Sequence, residues 1–247
     1  MNGVLNLQWL GRFGNNCFQY CFGRAFAEKY DLAFRTDPWE GELIFGIQHE
    51  RPVPSEIGPT LDENTLDADS GDFPSAFTYR SYSQHQKCLI YTRKQAREWL
   101  KWKPEVASVL AAELFPPSEL LAHRRVGDYP GYGYPVVSAC SYLDCCVQYG
   151  LDKTKLRWIT EESPTKNPMP SVSDWVADFW RMCHCKTLLR GNSSFSYWAG
   201  VLGNADVYAP VIEGKPGGVE QDFPFVPGNW PRFNTQGFLT DLHLAEG

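Results

Sequence analysis

Three times along this 247-residue chain a short apolar run passes into a polar, glycine-containing loop that opens a segment with helical spacing. The first is Val4–Leu10, followed by GRFGNNCFQYCFGRAFA from Gly11 to Ala27. There Phe18, Phe22, Ala25 and Phe26 recur at helical intervals and place a helix start near Asn16. The second is Leu120–Ala122, followed by His123, Arg124, Arg125, Val126, Gly127, Asp128 and a run rich in Gly, Pro and Tyr. The third is Leu188–Leu189, followed by GNSSFSYWAGVLG from Gly191 to Gly203, with Ser193 or Ser194 as the expected N-cap. Strand, loop and helix in alternation imply parallel sheets covered by helices. In such sheets ligands sit outside the carboxyl ends of the strands.

The chemistry of those loops points to an anionic ligand. Arginines at a strand end before a glycine turn are placed to grip a diphosphate, because the guanidinium is a planar donor fork that stays charged. Backbone N–H groups at the first and third loops add donors at helix starts. The formal charge of −6, from 23 basic and 29 acidic residues, argues against nucleic acid as a partner. No apolar run of about 18 residues occurs, so no transmembrane helix is expected. The N-terminus has no basic region before an apolar core, so no signal peptide is expected. Apolar residues make up 43% of the chain, with 9 Trp, 12 Tyr and 15 Phe, enough for a large core and for rings that line a sugar site. Most of the eight cysteines read as small core residues. Cys183 and Cys185 flank His184, but a lone Cys-His-Cys with no second cluster is a poor zinc signal. Asp67-Ala68-Asp69 matches a metal-chelating D-x-D, yet it lies in an acidic loop with no strand before it and reads as solvated surface.

Taken in order, the three loops resemble the alpha-1,2-fucosyltransferase family, which shares a superfamily with the alpha-1,6- and protein O-fucosyltransferases. The family's opening G-G-L-G-N-Q-x-F-Q-Y loop is matched by Gly11, Arg12, Phe13, Gly14, Asn15, Asn16, Cys17, Phe18, Gln19 and Tyr20. Its central H-x-R-R-G-D-Y is similar to His123–Tyr129, and its late N-S-T-F-S-W-W-A-A-W-L to Asn192–Leu202. Tyr82-Ser83-Gln84 and LRWITEE (Leu156–Glu162) are weaker echoes, with Glu161 and Glu162 in place of aspartates. Two departures stand out. Val126 replaces the second arginine of the central signature, and Arg12 replaces a glycine. Arg124 occupies the variable place, and strand alternation directs it away from Arg125.

The resemblance implies a GT-B-like α/β fold of two Rossmann-type domains whose parallel sheets face across a cleft. The expected boundary is the Pro116-Pro117 pair, giving 1–116 as the acceptor side and 117–247 as the nucleotide-sugar side, with a Gly- and Pro-rich tail packing back on the cleft. It implies an inverting transfer of fucose from GDP-fucose to a glycan hydroxyl, a galactoside in alpha-1,2 linkage, with no metal and no resident cofactor. Arg125, Asp128 and His123 are the catalytic candidates, Asp128 reading more readily as a partner that orients Arg125. Donor contacts are expected from Arg125, Gly127, Tyr129, Asn192, Ser193, Ser194, Phe195 and Ser196, and from Gly14, Asn15 and Asn16. Acceptor contacts are expected from Gln19, Tyr82 and Gln84. Golgi members carry a membrane anchor, so the expected location is cytoplasmic, with peripheral membrane association left open. Two other readings compete. One is a noncatalytic sugar- or nucleotide-binding relative, which the Val126 departure allows. The other is a dinucleotide-binding oxidoreductase, weakened because the first loop lacks the third glycine of G-x-G-x-x-G and only Asp37 stands at a second strand end.

Overall fold

A computed structural model of the chain describes residues 3–132, 136–161, 164–211 and 237–240. These fall into two compact units, which divide between Lys103 and Pro104.

The first unit opens with strand β1 (Val4–Leu7) and helix α1 (Phe13–Tyr30). Phe18, Phe22 and Phe26 lie four residues apart on α1 and are essentially unexposed. Each such ring stabilises the fold by roughly 1.5–3 kcal/mol on burial. The helix ends at Asp31, whose left-handed conformation (φ 53°) lets its N–H close onto the Ala27 carbonyl. Strand β2 (Ala33–Thr36), the short helix α2 (Gly41–Ile44), and strands β3 (Thr60–Leu61) and β4 (Ala76–Tyr79) follow. The sheet order is β2-β1-β4-β3, all parallel, with Leu5 paired to both Phe34 and Phe77. Phe77 and Tyr79 are fully buried on β4, a strand that none of the three loop motifs marks. Helix α3 (Arg93–Trp99) closes the unit, started by a reciprocal capping box between Thr92 and Gln95.

The second unit holds helix α4 (Pro104–Glu113), strand β5 (Leu120–His123), the turn-length helix α5 (Tyr129–Tyr132) and helix α6 (Ala139–Gln148). Strand β6 (Leu156–Ile159), helix α7 (Trp175–His184), strand β7 (Thr187–Leu189), helix α8 (Ser194–Leu202), and strands β8 (Asp206–Val211) and β9 (Gly237–Thr240) complete it. The sheet order is β6-β5-β7-β8-β9, parallel except for β9, which runs antiparallel along β8. All four residues of β5 are buried, as a central strand covered on both faces requires.

The division precedes the Pro116-Pro117 pair, so α4 belongs to the second unit, with Val106 and Leu110 buried. The prolines stop a helix without separating two cores. Apart from β8 and β9, the expectation for the tail lies outside the described residues, as does Glu162. Among the described residues no helix is long and apolar enough to cross a membrane.

Candidate functional site

In each sheet the second strand in sequence lies on one side of the first, and later strands lie on the other. This makes a switch point at the carboxyl end of the first strand. The sequence-predicted residues gather at these two points.

In the first unit the switch point lies between β1 and β4. Helix α1 starts at Phe13, ahead of the expected Asn16, so Gly14, Asn15 and Asn16 form its first turn instead of a free loop. The loop before it is pinned by two amides. Gln19 is fully buried, accepts from the Leu10 N–H at 2.8 Å and donates to the Leu10 carbonyl at 2.7 Å. Asn16 donates to the same carbonyl at 3.2 Å. Gln19 thus pairs its amide with both backbone groups of Leu10 and fixes the loop that precedes α1. Asn15 accepts from Gln84 Nε2 at 2.7 Å, which joins this loop to the segment after β4. Gly11 sits at φ +71°, and a Cβ there would lie 2.1 Å from Asn15 Nδ2 and 3.1 Å from the Tyr82 ring. Only glycine fits this turn at that approach. Tyr82 is exposed, so Tyr82, Asn15 and Gln84 form one cluster with an open ring. The D-x-D loop is elsewhere: Asp69 pairs with Lys29 at 2.8 Å, and Asp67 accepts from the Asp69 N–H.

In the second unit the switch point lies between β5 and β7. Arg124 and Arg125 leave β5 in different directions. Arg124 Nε donates to the Val137 carbonyl at 3.1 Å. Arg125 Nη2 donates to Asp128 Oδ1 at 2.5 Å and Nη1 pairs with Glu161 Oε1 at 2.7 Å, while its guanidinium lies 5.5 Å from the Tyr129 ring centre. Tyr129 in turn donates its hydroxyl proton to the Asn192 carbonyl at 2.7 Å, tying the β5 exit to the β7 exit. Gly191 makes that approach close: a Cβ there would stand 3.0 Å from the His123 carbonyl. Ser193 caps α8 by accepting from the Phe195 N–H, and the buried Ser196 hydroxyl donates to the Gly191 and Ser193 carbonyls at 3.3 Å. Asn192 is 1% exposed, and Phe195 packs its ring 5.6 Å from His123. Of the expected donor residues, Arg125, Gly127, Tyr129 and Asn192–Ser196 thus lie together at the exits of β5 and β7 in this unit, with Asn192, Ser193 and Ser196 buried. Gly14, Asn15 and Asn16 belong to the other unit. The Cys-His-Cys run is structural: His184 stacks on Trp180, and the Cys185 thiol donates to the Met182 carbonyl.

Two residues of this surface escaped the sequence reading. Glu161, in the sequence a stand-in for an aspartate, bridges to Arg125 from beyond the end of β6. Arg190 follows β7, is 1% exposed, donates to the Gly191 carbonyl at 3.2 Å and lies 5.4 Å from the Tyr197 ring centre. Its place after Leu188–Leu189, matching that of an arginine after β5, is the signal that was available.

His123 is buried, and its Nδ1 has no hydrogen-bond partner among the described residues. Burial first, and the Arg125 charge second, lower its pKa from 6.5 to about 3. A base that weak is a poor acceptor for a substrate proton at neutral pH. In the unfolded chain His123 takes up a proton below about pH 6.5, and in the fold it cannot until about pH 3, so its stability contribution is full above pH 6.5 and is lost as the pH falls between those values. We expect the urea midpoint to drop between about pH 6.5 and 4, and to drop less steeply in His123→Gln. Equal slopes in the two proteins would remove His123 from the acid response.

No family model matches the chain, and no characterised protein matches it by sequence. Its backbone does match solved structures. A mutant of Arabidopsis thaliana FUT1 in complex with GDP aligns with a TM-score of 0.55 at 10% identity, over 98% of this chain and 75% of that one. NodZ alpha-1,6-fucosyltransferase soaked with GDP-fucose aligns at 0.49 and 11% identity, over 85% of this chain and 95% of that one. The same enzyme co-crystallised with GDP aligns at 0.47 and 11% identity, over 86% and 96%. The likeness to FUT1, together with two helix-covered parallel sheets, establishes that this chain has the GT-B-like α/β fold of that fucosyltransferase structure.

Proposed function

We propose that the chain is an inverting, metal-independent glycosyltransferase that moves fucose from GDP-fucose to a hydroxyl of a glycan acceptor, with a galactoside and an alpha-1,2 linkage as the first candidates. The observation that carries this reading is the surface at the β5–β7 switch point. One guanidinium, the capped amino end of α8 and the Asn192–Ser196 turn lie together at strand carboxyl ends. Support comes from the shared fold with FUT1, whose structure holds GDP.

Displacement at the anomeric carbon leaves negative charge on the departing diphosphate, which fixed donors stabilise without reorganising. Arg125 supplies a bidentate fork, and the α8 amino end supplies N–H groups and the positive end of its dipole. Asp128, pinned to Arg125, orients the guanidinium. The acceptor hydroxyl needs only partial proton loss late in such a displacement, so a weak base suffices. Tyr82, exposed beside Asn15 and Gln84, offers an aromatic face for a sugar. A noncatalytic sugar-binding relative remains the second reading, favoured by Val126 in place of a second arginine.

The test is melting with ligands, then turnover. GDP and GDP-fucose should raise the melting temperature while UDP-sugars do not, since a ligand that binds only the folded state stabilises it by mass action. GDP release from GDP-fucose in the presence of a galactoside should persist in excess EDTA. A response to UDP-sugars and none to GDP would sink the fucosyl reading. GDP binding without turnover on any glycan would favour the binding module, and loss of turnover in EDTA with recovery in manganese would overturn the metal-independent mechanism.

A further inference from the structure

The grip assigned to the diphosphate already holds an anion, and that anion belongs to the chain. Glu161 arrives from the end of β6. Its Oε1 lies 2.7 Å from Arg125 Nη1, and its Oε2 accepts from the Val126 N–H at 3.3 Å. A Cβ on Gly127 would stand 2.9 Å from Glu161 Oε1, so the bare glycine is what lets the carboxylate lie against the turn. A guanidinium, a backbone N–H and a glycine approach are the parts of a phosphate cradle. Here they close on a carboxylate.

The two carboxylates on Arg125 differ in how they are delivered. Asp128 sits three residues away on the same turn and moves with Arg125. Glu161 comes from a separate strand, is half-exposed and can leave without disturbing that turn. A diphosphate approaching Arg125 therefore meets Glu161 on the same donors, and like charge excludes sharing them.

We propose that Glu161 is an internal occupant of the diphosphate position, displaced when donor binds and returned when product leaves. It keeps Arg125 oriented and neutralised in the empty site. It weakens the hold on diphosphate, and it speeds release of the nucleotide by competing for Arg125. The proposal rests on the reading of Arg125 as a diphosphate grip. If Glu161 served only to position Arg125, removing its charge would weaken anion binding; as an occupant, its removal strengthens it.

The experiment is calorimetric titration of the full chain with inorganic pyrophosphate and, separately, with GDP. Glu161→Gln keeps the side-chain length and the oxygen that accepts from Val126, and loses the charge. Pyrophosphate should bind the variant about threefold to fivefold more tightly than the parent, the scale of removing one like charge from a part-exposed site. Adding Arg125→Ala to that variant should abolish the gain. Glu161→Asp, which draws the carboxylate back by one methylene, should also bind more tightly than the parent and serves if the Gln variant does not fold. Unchanged or weaker pyrophosphate binding in the folded variant overturns the proposal. Tighter pyrophosphate binding with no GDP binding in either protein keeps the occupant and overturns the GDP-fucose reading. GDP binding to the parent with no gain in the variant for either ligand does the reverse.

Discussion

Arg125→Ala should lower GDP-fucose turnover by about a hundredfold or more, the loss of one preorganised charge-stabilising donor, roughly 3 kcal/mol in the barrier. Arg125 is partly buried, held by Asp128 on one side and Glu161 on the other, so its guanidinium is fixed before any ligand arrives. Arg125→Lys should stay impaired, because a point charge cannot hold Asp128 and a diphosphate in fixed directions as a fork does. Arg124→Ala should lose little activity. Its Nε is committed to the Val137 carbonyl, so its removal costs on the order of 1 kcal/mol of stability. The rival view is that the replacement of the second arginine by Val126 shifted the grip to Arg124. Side-by-side turnover and GDP affinity of the two alanine variants, on protein shown to be folded, decides it. A dead Arg124→Ala beside a near-normal Arg125→Ala would move the site by one residue.

The sequence made the central and late loops legible because each combines a strand end, a glycine and a helix start with a distinct polar set. The structure joins them through the hydroxyl of Tyr129 on the Asn192 carbonyl, a contact between residues far apart in sequence. Strand β4 escaped because four residues with two buried rings carry too little periodicity to register, although Phe77 pairs beside Leu5 at the sheet centre. Gln19 carries a structural task that its position did not reveal. Its type and place suit a sugar contact, but the loop after β1 leaves the Leu10 N–H and carbonyl inside the unit, and a buried backbone polar group must be paired. Glu161 was visible as a residue, but not as a partner of Arg125, since strand register alone brings the end of β6 level with the end of β5. The compact units divide ahead of the proline pair because prolines mark where a helix stops, whereas a division between units depends on which core α4 joins.

Trp198→Ala should destabilise the chain by about 3–5 kcal/mol, the usual cost of emptying the space of a buried indole. Trp198 is 0% exposed and is among the largest fully buried side chains of the protein. Its neighbours on α8 are committed in the same way: Tyr197, Ala199 and Val201 are all unexposed. The late loop is thus two devices in sequence. Asn192–Ser196 forms the polar turn at the β5–β7 switch point, and Tyr197–Val201 anchors the helix that follows it. Close packing of α7 against α8 leaves no slack, since a Cβ on Gly203 would lie 2.3 Å from the Cys183 carbonyl. The melting temperature should fall on the order of 10 °C in Trp198→Ala, and much less in Trp198→Phe, which keeps a ring in place. In the cold, where the variant stays folded, GDP affinity should fall as well, because the amino end of α8 loses its anchor. Ser193→Ala should show the opposite balance, costing about 1 kcal/mol as a lost cap while striking the site directly. A Trp198→Ala chain that melts with its parent would show that α8 is not anchored through this ring, and the polar turn would then need another support.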